Sequence, residues 1–90
     1  MQKPNKEIVM DKNFMLQQKY LEFNSVVIPH FSTLKSYALK ITNHSEESED
    51  LVQETLLKAF RFFDSFEKGT NIKGWLYRIM FNTFINDKLF

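Results

Sequence analysis

The chain has no cysteine and only two glycines and two prolines in 90 residues. Without cysteine there is neither a disulfide framework nor a thiolate metal site. The two histidines, His30 and His44, are too few and too far apart for a zinc site, so no metal and no cofactor is expected. Nowhere do roughly eighteen apolar residues run together, and the opening MQKPNKEIVMDKN has no apolar core of signal-peptide length. No membrane insertion is therefore expected, and the protein is expected to be soluble and cytoplasmic. With so little glycine and proline, and no sustained alternation of period two, strands and tight turns have little support, and an all-α domain is the economical reading.

What remains is a small, ring-rich chain. Ninety residues make one domain that buries about 60 to 65 % of the surface its unfolded chain exposes, so its stability is expected to be modest. Ten phenylalanines exceed what such a core needs, which leaves ring faces for other uses. The charges nearly cancel, with twelve basic against eleven acidic side chains, but they are unevenly placed. Lys68, Lys73, Arg78 and Lys88 face only Asp87 in the last quarter, which makes that end basic.

Four helices are predicted in a compact domain, over about 13–28, 30–42, 45–64 and 72–89, behind a flexible tail of residues 1–12. The first carries Phe14, Gln17, Leu21 and Ile28 on one side and is interrupted by Pro29, which has no amide hydrogen. The second buries Phe31, Leu34, Ala38 and Ile41. In NHSEES, the residues Asn43, His44 and Ser45 compete to cap the third helix, and Glu46 and Glu47 suit its positive end. The loop SFEKGTN holds a glycine suited to positive φ, and Asn71 is placed to cap the fourth helix.

The third helix has two organised faces. Val52, Leu56, Ala59 and Phe63 recur at helical spacing and form the core stripe. Opposite them, Asp50, Glu54, Leu57 and Arg61 follow the same spacing with Gln53 beside them, so a bare leucine stands among carboxylates, an amide and a guanidinium. That pattern fits a docking surface, although single exposed leucines are also common. The fourth helix places Ile72, Leu76, Ile79 and Thr83 toward the core and Tyr77, Phe81, Phe84 and Ile85 on the far side among Lys73, Arg78 and Lys88, while Trp75, Arg78 and Asn82 share a flank. A helix apolar all round can simply be the central one of a bundle. Rings interleaved with cations are also what single-stranded nucleic acid requires, since bases stack and phosphates need counter-charge.

EDLVQETLLKAFRFFDSF, the following loop and GWLYRIMFN resemble region 2 of the extracytoplasmic-function (ECF) class of bacterial sigma factors, in which AEDLVQETF, a phenylalanine-loop-phenylalanine and WLxRIxxN follow in that order. The resemblance extends over about Phe23 to Asn86. It implies that Asp50, Gln53, Glu54, Leu57 and, more weakly, Arg61 meet the clamp coiled coil of the largest subunit of core RNA polymerase. It also implies that Phe62, Phe66 and Asn82 line a pocket for a base flipped from the single-stranded −10 element of promoter DNA, that Lys68, Lys73 and Arg78 hold phosphates, and that Trp75 and Tyr77 lie near the melted junction. Ile72 stands where the family usually has phenylalanine, Gly74 where better helix formers are common, and EKGTN lacks the usual proline-glycine-arginine. The family continues into a helix-turn-helix domain that is absent before Phe90, so an isolated region 2 domain is expected.

A helical protein-binding module, covered by an anti-sigma factor or dimerising, is the competing expectation. Enzymatic activity is not expected. Asp50 and Glu54 form a carboxylate pair on one exposed turn, with no histidine, cysteine or metal-ligand set converging on it.

Overall fold

A computed structural model describes residues 3–89, with no account of the side chains of residues 3–11 and 89. α1 spans Lys3–Val27, a 3₁₀ turn Ile28–His30, α2 Phe31–Thr42, α3 Ser45–Arg61, a second 3₁₀ turn Phe63–Ser65, and α4 Ile72–Leu89. There is no strand among the described residues, so the all-α expectation holds. The expected count of four separate helices does not. α1, the 3₁₀ turn and α2 follow one another without a non-helical residue, which leaves three helical runs. Pro29 tightens the first run at Ile28–His30 without ending it, because the missing amide falls where the hydrogen-bond pattern is already changing.

α1 also starts well before Asn13, the expected first residue. The chain expected as a tail is helical from Lys3, and Met1 and Gln2 lie outside the described residues. Twenty-five helical residues are about 37 Å long, which accounts for much of the 59 Å long axis and for a radius of gyration of 16.4 Å. A compact chain of this length would have a radius of about 12 Å.

α2 and α3 form a tight antiparallel hairpin. Asn43 turns the chain in the left-handed region at φ 53°, donating its amide to Leu39 O at 2.8 Å. Asparagine accepts that conformation more readily than other non-glycine residues. Of the three candidate caps, His44 takes the role, its Nδ1 accepting from Glu47 N at 3.3 Å. α3 is the central helix, packed by α2 and by α4. α4 runs antiparallel to α3, since Glu47 reaches Lys88, Lys58 donates to Thr83 at 3.2 Å, and Phe63 packs near Trp75. Asn71 Oδ1 accepts from Gly74 N at 3.0 Å and so caps α4, and Gly69 adopts φ 88° in the preceding loop.

The core comprises Phe23, Val27, Leu34, Ala38, Leu51, Val52, Ala59, Phe63, Leu76 and Met80. On α3 the expected stripe holds, with Leu56 only half-buried and Leu51 and Thr55 added. On α4, Leu76 and Thr83 are buried as expected, Ile72 and Ile79 are half-buried, and Met80 is an addition.

The face expected for α1 is wrong: Phe14, Gln17, Leu21 and Ile28 are all exposed, and the helix is turned so that Phe23 and Val27 enter the core. Apolar residues lie all round this helix, so spacing alone does not select the buried side. Phe31 of α2 is also exposed, not buried. α3 ends at Arg61, short of 64, because the chain tightens into the 3₁₀ turn that inserts Phe63 into the core.

Candidate functional site

Two surfaces stand out. The first is the side of α3 turned away from the core. Leu51, Val52, Thr55 and Ala59 point inward, which by helical geometry turns Asp50, Gln53, Leu57 and Arg61 outward, and all four are exposed. Leu57 is 72 % accessible, far more than a leucine holding helices together. Glu54 is half-buried, and its carboxylate lies 3.6 Å from Lys58 Nζ. Fully covering a leucine is worth about 1.5–3 kcal/mol, so the face has a stabilising apolar centre available to a partner, ringed by polar groups.

The sequence reading missed what adjoins this face. Phe31 and Leu39 of α2, 41 % and 50 % accessible, line an open cleft with Gln53, Val52 and Leu56 of α3. Their signal was present in the apolar residues of α2, but period alone assigned Phe31 to the core.

The second surface is built around the loop between α3 and α4. Phe63, held in the core by edge contacts with Phe23, carries the ring of Phe66 stacked 6.1 Å away, and Trp75 leans on Phe66 at 5.0 Å. Phe66 and Trp75 are half-buried, so each fastens the loop to the core while keeping part of its ring open. Phe62 is exposed and lies outside this stack, near the Arg61 guanidinium. Asn82 is exposed on α4, seven residues beyond Trp75 and therefore about 10 Å further along the helix. The rings of Phe66 and Trp75 are thus brought together, whereas Phe62 makes no ring contact with either and Asn82 lies about two turns beyond Trp75 on α4.

The cations differ in availability. Lys68 is paired with Glu22 of α1, and Lys88 with Glu47 at 3.6 Å. Lys73 and Arg78 are exposed and form no ion pair among the described residues. Lys73 Nζ lies 5.9 Å from the centre of the Tyr77 ring, and Tyr77 in turn stacks on Tyr37 of α2 at 4.6 Å. Tyr37 and Lys19, which pairs with Asp64 at 3.4 Å, support this surface from distant parts of the chain, and Glu22 reaches its Lys68 from α1. Nothing local in the sequence marks them.

The described residues contain no group of three or more histidines and carboxylates placed to hold a metal. None of their helices is long and apolar enough to cross a membrane. The geometry is that of a helical scaffold with an apolar-centred polar face on α3 and an aromatic, partly basic surface around the α3–α4 loop.

Comparison with known families agrees with the motifs: the Sigma-70 region 2 family matches residues 27–88. The chain belongs to that family, and several of its relatives are named as ECF RNA polymerase sigma factors. It is similar to ECF RNA polymerase sigma factor EcfG of Rhodopseudomonas palustris (strain TIE-1), with 40 % identity over 55 residues, 61 % of this chain and 30 % of that protein. RNA polymerase sigma factor YlaC of Bacillus subtilis (strain 168) is 37 % identical over 57 residues, covering 63 % of this chain and 33 % of its own. ECF RNA polymerase sigma factor SigG of Mycobacterium tuberculosis (strain ATCC 25618 / H37Rv) is 34 % identical over 62 residues, 69 % of this chain and 17 % of that protein. The chain spans a third or less of the length of these curated relatives.

Proposed function

We propose that this chain is the part of a bacterial sigma factor that binds core RNA polymerase and captures the −10 element during transcription initiation in the cytoplasm, with no catalytic activity of its own. Asp50, Gln53, Glu54, Leu57 and Arg61 dock on the clamp coiled coil of the largest polymerase subunit. Phe62, Phe66 and Asn82 receive a base flipped from the single strand, Trp75 and Tyr77 lie at the melted junction, and Lys68, Lys73 and Arg78 face phosphates. An anti-sigma factor covering the α3 face would silence the domain by occlusion.

The exposure of Leu57 in the centre of an otherwise polar face is the observation that carries this reading. Flipping a base costs a few kcal/mol, and stacking on an aromatic ring restores about 1–3 kcal/mol per base. Lys73 and Arg78, which form no ion pair among the described residues, contribute little counterion release, the single-strand salt slope being about −0.7 per phosphate neutralised. Free in solution the domain therefore binds DNA weakly, and the polymerase supplies the orientation that makes recognition tight.

Pull-down of core RNA polymerase by the chain, compared with a Gln53→Ala, Glu54→Ala, Leu57→Ala variant, tests the assignment. Loss of Leu57 burial alone should weaken the complex about tenfold or more, since 1.4 kcal/mol is a factor of ten. Equal recovery of polymerase by the two chains, both folded by circular dichroism, would remove the assignment.

A further inference from the structure

The loop that carries Phe66 is tied to α1 by two ion pairs of opposite sense. Lys19 of α1 holds Asp64, and Glu22 of α1 holds Lys68. The two pairs do different work. Asp64 belongs to the 3₁₀ turn that places Phe63 in the core, so Lys19 supports a segment that is already anchored. Lys68 lies beyond Phe66 in the exposed part of the loop, and its side chain remains 74 % accessible even while paired. Its ammonium is open to solvent on one side and occupied by a carboxylate on the other.

We propose that Glu22 is an intramolecular competitor for Lys68, occupying the cation until the phosphate backbone of a single DNA strand displaces it. The inference rests on the reading of the α3–α4 loop as a single-strand surface and adds a residue to which that reading gives no role. An oxygen anion on Lys68 has the chemistry of a phosphate oxygen, so the two cannot share the ammonium at full strength. Displacement costs little because the pair is exposed, and exposed pairs are weak. It nevertheless removes the usual electrostatic gain. The Lys68 charge that would neutralise a phosphate and release a condensed cation is already partly cancelled by Glu22, whose carboxylate stays beside the strand and repels it. The loop does not depend on Glu22 for its shape, since Phe63 is buried, Phe66 is stacked on it and Lys19 holds Asp64.

The sign of the effect is therefore opposite to that of a structural strut. Removing the carboxylate should strengthen binding, whereas removing a strut would weaken it. The test is an NMR titration of the full chain with the oligonucleotide dT12 at two or more salt concentrations, which detects weak binding. Glu22→Gln should bind dT12 about two- to five-fold more tightly than the unaltered chain, with a salt slope steeper by up to about 0.7. Placed on a Lys68→Gln background, Glu22→Gln should give no more than the small gain expected from removing a nearby negative charge. Glu67→Gln, which removes a neighbouring charge of the same sign, should give a smaller gain.

Unchanged or weakened binding by Glu22→Gln, in a chain whose spectrum remains folded, would overturn the competition. So would a gain of undiminished size that persists without Lys68, or a gain matched by Glu67→Gln. If dT12 perturbs no loop resonance in any variant up to millimolar concentration, the single-strand reading fails and the competition falls with it, an outcome distinct from binding that ignores Glu22.

Discussion

The rings of Phe63 and Phe66 lie nearly parallel, with planes 10° apart and centroids 6.1 Å from each other. One ring is in the core and the other at the surface of the loop, so the loop inherits its position from the interior of the domain. Trp75 closes the group from α4, with its centroid 5.0 Å from Phe66 and 6.5 Å from Phe63. Such a stack holds an aromatic surface at a fixed height above the helices, which limits the ordering cost when a base arrives.

Phe66→Ala combined with Asn82→Ala should abolish capture of a −10 single strand in an assay that contains core polymerase. Losing one stacking ring alone is worth about 1–3 kcal/mol, or roughly 5- to 150-fold in affinity. Polymerase affinity should not move, because neither residue lies on the exposed side of α3. Undiminished strand capture by the double variant would reject the pocket.

Thr55→Val should leave the domain folded and raise its unfolding midpoint. The Thr55 hydroxyl is fully buried between helices and has no hydrogen-bond partner among the described residues. An orphaned polar group of this kind costs about 1–3 kcal/mol, and valine has nearly the same shape and a similar helix propensity. Thermal or urea unfolding measures the change. A loss of more than about 1 kcal/mol would mean that the hydroxyl is satisfied in solution.

His44→Ser should also stabilise the domain, by about 0.5 kcal/mol. The imidazole caps α3 through a 3.3 Å contact with Glu47 N, at an extended backbone geometry of φ −154° and ψ 125° that suits any capping residue. A serine there is a stronger capping residue whose hydroxyl accepts from Glu47 N, while the amide of residue 44 keeps its bond to Thr42 Oγ1 at 3.3 Å. A lower urea midpoint for the serine variant would show that the imidazole makes contacts beyond the cap.

The features legible in the sequence share a short range. Pro29 breaking the regular pattern, Asn71 capping α4, Gly69 at positive φ, and Leu57 facing away from Val52 and Ala59 all follow from chemistry within a few residues. So does the ECF-type motif string, which is why the family was recognisable from residues 49–82 alone. Helix bounds were least legible where that local chemistry is weak. α1 has no cap marking Asn13 as its start, and α3 yields to a 3₁₀ turn because Phe63 must reach the core.

Periodicity in α3 had one apolar stripe to choose, and it chose correctly. In α1, Phe14, Met15, Leu16, Tyr20, Leu21 and Phe23 ring the helix, and only the position of Phe60 and Phe63 on the neighbouring segments selects Phe23. The same holds for Tyr37 stacked on Tyr77 and for Glu22 paired with Lys68 across forty-six positions of chain. Turns, caps and helix faces respond to neighbours a few bonds away and are therefore written in the chain order. Which of several apolar faces is buried, and which cation is already held by a carboxylate, depends on partners that the backbone brings together only after the helices have packed.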